Sequence, residues 1–252
     1  MFKKLIQEIQ IGRTIKNDSY HKETKQLDRI EIEKTPLRSD VINFLIKSLN
    51  RKSLYLEIGV RNPKLNFDLI IADEKYSVDP GIEFEENPVD FKVTSDEFFN
   101  GLENGKFLNS SLKFDVIFID GLHISEQVER DIKNALKFIK DDGFIILHDC
   151  NPPTEWHARE NHLYRLSPAG NNWNGTTWKA FVKYRELMPF NTCCVDTDWG
   201  IGIISKTHTF NQHNINPNPF FEFSVFQKER QRSLGLISFE EFMLNLKTDY
   251  RT

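Results

Sequence analysis

The chain has 252 residues, of which 39% are hydrophobic and 28% are charged, a composition that predicts one soluble α/β domain with appendages. Its formal net charge is -4, so a basic surface of the kind that binds nucleic acid is not expected. No segment resembles a secretory leader or a membrane span, which predicts a cytoplasmic location. The three cysteines, Cys150, Cys193 and Cys194, lack metal-site or disulfide spacing and are expected to be free thiols.

Five short apolar runs recur in the first 150 residues and alternate with helical patterns. We predict strands at residues 53–60, 75–80, 90–99, 114–121 and 143–150. Residues 35–50 and 125–143 carry apolar side chains at helical spacing. Strands that alternate with helices require crossover connections, which indicates a doubly wound, mostly parallel sheet covered on both faces.

The pattern changes after residue 150. Residues 151–175 are rich in proline, asparagine, glycine and aromatic residues, and they predict an unusually long loop of the kind that forms a lid or a binding surface. A helix at 176–187 and two short strands within 192–206 follow. We therefore predict a helical N-terminal extension (1–35), an α/β domain (36–206) that contains this loop, and a helical tail of two helices (207–252).

Polar residues stand at the carboxyl end of every predicted strand. In an open α/β sheet, ligands bind in the crevice outside these ends. One such residue alone would more simply cap a helix or close a turn, but five strand ends in register predict a ligand site. Asp79 suits the two hydroxyls of a ribose, and Gly59 permits close approach of the backbone. The candidates, in chain order, are Glu57 and Gly59, Asp79, Ser95 and Asp96, Asp120 and His123, and His148 and Asp149.

The stretches YLEIGV, YSVDP, TSDEFF, FDVIFIDGLH and GFIILHD, in this order, resemble the motifs of class I S-adenosylmethionine-dependent methyltransferases. The resemblance covers roughly residues 36–205 and is greatest to the branch of macrocin O-methyltransferase and similar sugar O-methyltransferases. It implies a Rossmann-like sheet of about seven strands that ends in an antiparallel hairpin. It also implies that Glu57 and Gly59 border the methionine part of S-adenosylmethionine, that Asp79 holds its ribose, and that Ser95 and Asp96 lie near its adenine.

The sugar O-methyltransferase branch is metal-dependent, and the resemblance extends this chemistry to the last two strand ends. Asp120, His148 and Asp149 would bind Mg²⁺ or Mn²⁺, and His123, next to Asp120 in the catalytic site, would be the general base. The His148–Asp149 pair departs from the two adjacent acids common in the branch. Other readings are a hydrogen-bonded core histidine at position 148, a capping role for His123, and catalysis by proximity without a metal.

The expected function is methylation of a hydroxyl on a sugar, a glycan or a glycosylated small molecule, as in glycan or natural-product biosynthesis. Aromatic residues of the long loop suit a saccharide acceptor, although they could equally anchor a lid or a dimer contact, and a homo-oligomer is possible. The first loop, VRNP at residues 60–63, has less glycine than the family pattern. It motivates the alternative of a non-catalytic or partner-dependent binding protein with a degenerate methyltransferase fold.

Overall fold

The structure is a computed structural model that describes residues 2–84, 86–187, 189–210 and 218–249. Helices α1 (Phe2–Asn17) and α2 (Ser19–Glu33) precede the sheet, and α1 has no buried residue. Within the described ranges, no helix combines the length and the apolar character needed to cross a membrane. The later helices are α3 (Arg38–Ser48), α4 (Ser95–Glu103), α5 (Ser125–Phe138), α6 (Thr177–Leu187), α7 (Phe223–Lys228), α8 (Arg230–Leu234) and α9 (Phe239–Asp249).

The sheet has seven strands in the order β2-β1-β3-β4-β6-β5-β7. Strands β1 to β4 are parallel, β6 is antiparallel to both β4 and β5, and β7 is parallel to β5. The predicted Rossmann-like, mostly parallel sheet with a late antiparallel hairpin is thus confirmed. The strands are β1 (Leu54–Ile58), β2 (Glu74–Val78), β3 (Phe114–Ile119), β4 (Ile139–Leu147), β5 (Asn191–Val195), β6 (Ile201–Ser205) and β7 (Leu236–Ile237).

Both faces of the sheet are buried, because alternate residues of each central strand enter different hydrophobic clusters. In β3, Ile117 and Ile119 pack toward α4, α5 and α6, whereas Val116 and Phe118 pack toward α3 and α9. Strands β1 and β4 divide their residues in the same way. The central strands are therefore fixed on both sides, and their carboxyl ends form a rigid base for a site.

The prediction of a strand at residues 90–99 is wrong. Only Phe91 forms a bridge, with Val78, and Ser95 begins α4. The reason is a capping box, in which the Thr94 hydroxyl accepts from the Glu97 backbone while the Glu97 carboxylate accepts from the Thr94 backbone. Ser95 and Asp96 therefore lie in the first turn of a helix rather than at the end of a strand.

Two further boundaries differ from expectation. Helix α5 ends at Phe138 rather than near Gly143, because Ile139 already pairs with Phe114 in the sheet. In the predicted helical tail, Gly235 adopts a left-handed conformation and is followed by β7, which pairs with β5. The tail thus contributes a strand to the sheet as well as helices, and the domain boundary at residue 206 stays a prediction.

Candidate active site

The centre of the crevice lies where β3 and β4 end side by side. Asp120 follows β3, and its backbone N–H donates to Ile58 of the neighbouring β1 at 2.8 Å. Asp149 follows β4 with a φ of 59°, a left-handed conformation that an aspartate tolerates better than most residues. The two carboxylates are thereby brought from separate strands into one pocket.

The His123 imidazole bridges these two carboxylates. Its Nε2 lies 3.2 Å from Asp120 Oδ1, and its Nδ1 lies 3.1 Å from Asp149 Oδ2. The three side chains offer ligand atoms that all lie within 4.8 Å of one another, close enough to hold a metal ion. The structure thus brings together three of the predicted residues.

His148 packs beneath this cluster and is 4% exposed. Its Nδ1 lies 3.1 Å from Asp120 Oδ1 and 3.3 Å from Asp149 Oδ2, so it faces the same pocket. Its Nε2 lies 3.3 Å from Asp198 Oδ1. A metal ligand and a hydrogen-bonded core histidine are both compatible with this position, and its ligand role stays a prediction.

Two charged residues of this pocket were missed by the sequence reasoning, Arg38 and Asp198. Arg38 is the first residue of α3, and its guanidinium bonds Asp198 and, at 2.8 Å, Asp120. An arginine in the first turn of a helix opposes the helix dipole, so its position could have signalled a carboxylate partner. Asp198 lies in the turn between β5 and β6, which the sequence indicated only as a turn.

The charges of the cluster shift the pKa values of its members in opposite directions. Burial lowers the pKa of His123, but the carboxylates of Asp149 and Asp120 outweigh burial and raise it to about 9. Burial raises the pKa of Asp120, but the two imidazoles and the guanidinium around it bring it well below its ordinary value. With these pKa values, His123 carries a proton at neutral pH, and Asp120 does not.

The loop of residues 151–175 closes one side of the pocket through its last residues. The Trp173 ring stacks on the His123 ring with centroids 5.2 Å apart, and Asn174 Nδ2 donates to Asp149 Oδ1 at 2.7 Å. Gly175 has a φ of 61°, and a Cβ there would overlap the backbone oxygen of His123. The glycine is required for this close approach, which places the loop against the general-base candidate.

Three of the residues expected to hold a cofactor, Glu57, Gly59 and Asp79, lie at the neighbouring strand ends. Glu57 is buried at the end of β1, accepts from Tyr55 Oη at 2.6 Å and from Asn66 Nδ2 at 2.9 Å, and has its pKa raised by burial to about 7. Gly59, with a φ of 87°, packs directly on the backbone of Asp120 and Gly121. The structure therefore requires this glycine for contact between β1 and β3, apart from any ligand.

Asp79 follows β2 and already accepts three hydrogen bonds. Its Oδ2 accepts from the Arg61 backbone at 2.8 Å, and its Oδ1 accepts from the Gly81 backbone at 2.6 Å and from Asn87 Nδ2 at 2.5 Å. A carboxylate offers about four acceptor positions. One position is therefore open, and a ribose with two hydroxyls would need a second one.

Ser95 and Asp96 lie at the start of α4, where Gln127 of α5 reaches both. Gln127 Nε2 donates to Ser95 Oγ at 3.1 Å and to Asp131 at 3.0 Å, and it lies 3.4 Å from Asp96. Burial raises the pKa of Asp131 to about 6. This group belongs to the α4–α5 side of the crevice, separate from the His123 cluster.

Part of the chain is similar to a known protein family. Residues 67–150, about a third of the chain, match the family model described as a methyltransferase domain. This segment of the chain is similar to a methyltransferase domain. The matched segment includes every candidate residue from Asp79 to Asp149, whereas Glu57 and Gly59 precede it.

Several solved structures of methyltransferases are similar to this chain. An O-methyltransferase from Bacillus cereus in complex with SAH has 15% identity and a TM-score of 0.43 over 75% of this chain and 92% of its own. The SAH-bound methyltransferase PaMTH1 of Podospora anserina has 14% identity and a TM-score of 0.44, with 81% and 96% covered. The O-methyltransferase TomG of Streptomyces achromogenes, solved with SAM, has 11% identity and a TM-score of 0.38, with 75% and 90% covered. No curated protein matches the chain.

Proposed function

We propose that this chain is an S-adenosylmethionine-dependent O-methyltransferase that uses Mg²⁺ or Mn²⁺ and acts on a hydroxyl of a sugar, a glycan or a glycosylated small molecule. The methyltransferase domain and the motif resemblance support the reaction class. The observation that carries the proposal is the His123 imidazole held between Asp120 and Asp149 at two adjacent strand ends. We expect a cytoplasmic enzyme that acts without nucleic acid and could assemble as a homo-oligomer.

The cluster fits a divalent cation in its donor chemistry. Carboxylate oxygens suit Mg²⁺ and Mn²⁺, and an imidazole nitrogen shifts the preference toward Mn²⁺ or another transition metal. Asp120 and Asp149 would hold the ion together with His148, whose Nδ1 lies within 3.3 Å of both carboxylates, and His123 would then stay free to act as the base. When bound, the ion supplies a Lewis acid that lowers the pKa of an acceptor hydroxyl.

The proton of the acceptor hydroxyl has one clear destination among these residues. A sugar hydroxyl is a poor nucleophile until it loses its proton, and an imidazole beside it is the usual acceptor. Asp120 and Asp149 orient the His123 ring, and Trp173 stacks on it and limits its rotation. The carboxylates of Asp149 and Asp120 raise the pKa of His123, so the ring would become neutral and able to accept the proton only when a divalent cation offsets their negative charge.

We assign the cofactor to the ends of β1 and β2 and to the start of α4. Asp79 would bind the ribose with its free acceptor position and a second position released by Asn87. Glu57 and Gly59 would border the methionine part, and Ser95 with Asp96 would lie near the adenine. The sulfonium would then face the His123 cluster across the ends of β1 and β3, which are directly paired.

Calorimetric titration with S-adenosylhomocysteine, with and without Mn²⁺, tests the proposal. Wild type is expected to bind both at micromolar to submillimolar concentrations, and Asp120→Asn is expected to lose Mn²⁺ while it retains S-adenosylhomocysteine. Asp142→Asn is the matched control, because Asp142 is an ion-paired aspartate near the opposite end of β4. Absence of S-adenosylhomocysteine binding by folded wild type would refute the proposal.

A binding protein with a degenerate methyltransferase fold is the second candidate. Two observations on Arg61 of the first loop favour it. Its φ is 49°, and its backbone N–H donates a hydrogen bond to the Asp79 carboxylate. Together with Asn87 and Gly81, the loop fills most of the hydrogen-bond acceptor positions of Asp79 that a ribose would use. In that case wild type and Asp79→Ala would both fail to bind S-adenosylhomocysteine.

A further inference from the structure

Arg38 is held in place from two directions by Asp198. Its backbone N–H donates to Asp198 Oδ2 at 2.8 Å, its Nε to the same oxygen at 2.9 Å, and its Nη2 to Asp198 Oδ1 at 3.1 Å. Such a two-pronged pairing fixes the plane of a guanidinium. The group is therefore a rigid part of the pocket, built from the start of α3 and the β5–β6 turn.

The remaining guanidinium nitrogen of Arg38 bonds one oxygen of Asp120 and leaves the other oxygen to the imidazoles. Arg38 Nη1 donates to Asp120 Oδ2 at 2.8 Å. Asp120 Oδ1 faces the other way, toward His123 Nε2 at 3.2 Å and His148 Nδ1 at 3.1 Å. Only Oδ1 is thus directed at the cluster that could hold a cation.

Arg38 also changes the charge of the pocket. Asp120, Asp149 and Asp198 contribute three negative charges, and the guanidinium cancels one. Imidazoles that bind a metal must be neutral, so the pocket then carries two negative charges, which match one divalent ion. Without Arg38 it would carry three.

We propose that Arg38 is a positioning residue that restricts Asp120 to one metal-binding oxygen and lowers the affinity of the pocket for a divalent cation. This inference depends on the metal site of the proposed function. A carboxylate that binds through one oxygen uses a single coordination position. Arg38 therefore keeps a further position on the ion open for an oxygen of the acceptor.

Mn²⁺ binding, measured by calorimetry or by the electron paramagnetic resonance signal of free Mn²⁺, tests this role without any acceptor. The variants Arg38→Gln and Arg38→Met remove the charge and are expected to bind Mn²⁺ about tenfold more tightly than wild type. Arg38→Lys retains the charge and is expected to stay within about threefold of wild type. Two neutral variants are used so that one poorly folded protein does not decide the result.

Arg51→Gln is the matched control. Arg51 also pairs with two aspartates, Asp115 and Asp142, but at the amino ends of the strands. Arg51→Gln changes the net charge of the chain by the same amount as Arg38→Gln and should leave the Mn²⁺ affinity unchanged. A second readout is the relaxation of water protons by bound Mn²⁺, which counts waters on the ion and should fall in Arg38→Gln as Asp120 binds through both oxygens.

The outcomes separate this inference from the proposed function. Mn²⁺ binding by wild type with equal or weaker binding by both neutral variants overturns the role of Arg38 and leaves the metal site intact. Absence of Mn²⁺ binding in wild type and in every variant refutes both the metal site and the inference. Binding that is detectable only in the neutral variants supports the inference.

Discussion

His157 and Asp28 are 129 positions apart and form a hydrogen bond of 2.7 Å between His157 Nε2 and Asp28 Oδ1. The imidazole is fully buried, and its Nδ1 pairs with the Thr154 hydroxyl at 2.9 Å. The His157 carbonyl accepts from the backbone of both Asn174 and Gly175. Helix α2 of the N-terminal extension is thus connected to the loop residues that contact Asp149 and His123.

Asp28→Ala is therefore expected to loosen the loop as well as the helix. The lost partner of a buried imidazole should lower the free energy of unfolding by about 1–3 kcal/mol. Hydrogen exchange should accelerate across residues 154–176, which an effect confined to α2 would leave unchanged. Glu23→Ala, which removes an exposed acid of the same helix, is the control, and equal exchange in the two variants would contradict the connection.

His123→Gln is expected to slow methyl transfer strongly while it leaves cofactor binding unchanged. Loss of a general base typically reduces the rate by about 10²–10⁴-fold. The affinity for S-adenosylhomocysteine should change by less than about threefold, because His123 lies outside the predicted cofactor residues. The transfer rate is measured with labelled methyl groups and an acceptor that wild type methylates. The affinity for S-adenosylhomocysteine is measured by calorimetry. Wild-type turnover by this variant would contradict the role of His123 as general base and would leave it a packing role against Trp173.

Asp79 and Asn87 should have opposite effects on the cofactor. Asp79→Ala removes the ribose acceptor and is expected to weaken S-adenosylhomocysteine binding by about tenfold or more, the value of one or two hydrogen bonds. Asn87→Ala removes a donor that competes for the same carboxylate and should bind at least as tightly as wild type. Weaker binding by Asn87→Ala would show that Asn87 holds Asp79 in place for the ribose.

Asp131 should make stability depend on pH in a defined interval. Burial raises its pKa in the folded chain to about 6, above the ordinary 3.8 of the unfolded chain. Between these pH values the unfolded chain has released a proton that the folded chain retains, so stability falls as pH rises and levels off above about pH 6. The full effect is about 3 kcal/mol at 1.36 kcal/mol per pKa unit.

Asp131→Asn removes that proton equilibrium and should gain stability relative to wild type as pH rises from 4 to 7. Urea denaturation at each pH, compared between the two proteins, measures the difference and cancels the contributions of other groups. Asp96→Asn, a more exposed aspartate that contacts the same Gln127, serves as the control. Parallel stability curves for wild type and Asp131→Asn would contradict the prediction.

Local pattern predicted the sheet and its strand-end acids, because apolar runs that end in a carboxylate are visible in a short window. Asp120 and Asp149 were found in this way. Arg38 and Asp198 were not, since each looks like a surface residue of a helix start or a turn until the fold brings them together across 160 positions. The prediction of a strand at 90–99 was wrong because it relied on the β-forming residues Phe91 and Val93. It overlooked the capping box of Thr94, which begins a helix in the structure.

The pairing of β7 with β5 sets the order in which the sheet can be completed during synthesis. Leu236 pairs with Cys194 and Ile237 with Val195, so the outermost strand is made some 40 residues after the one it covers. Until residue 237 has emerged from the ribosome, β5 presents an apolar edge with unpaired backbone groups. A nascent or truncated chain that stops before this point would therefore be prone to edge-to-edge association with other chains.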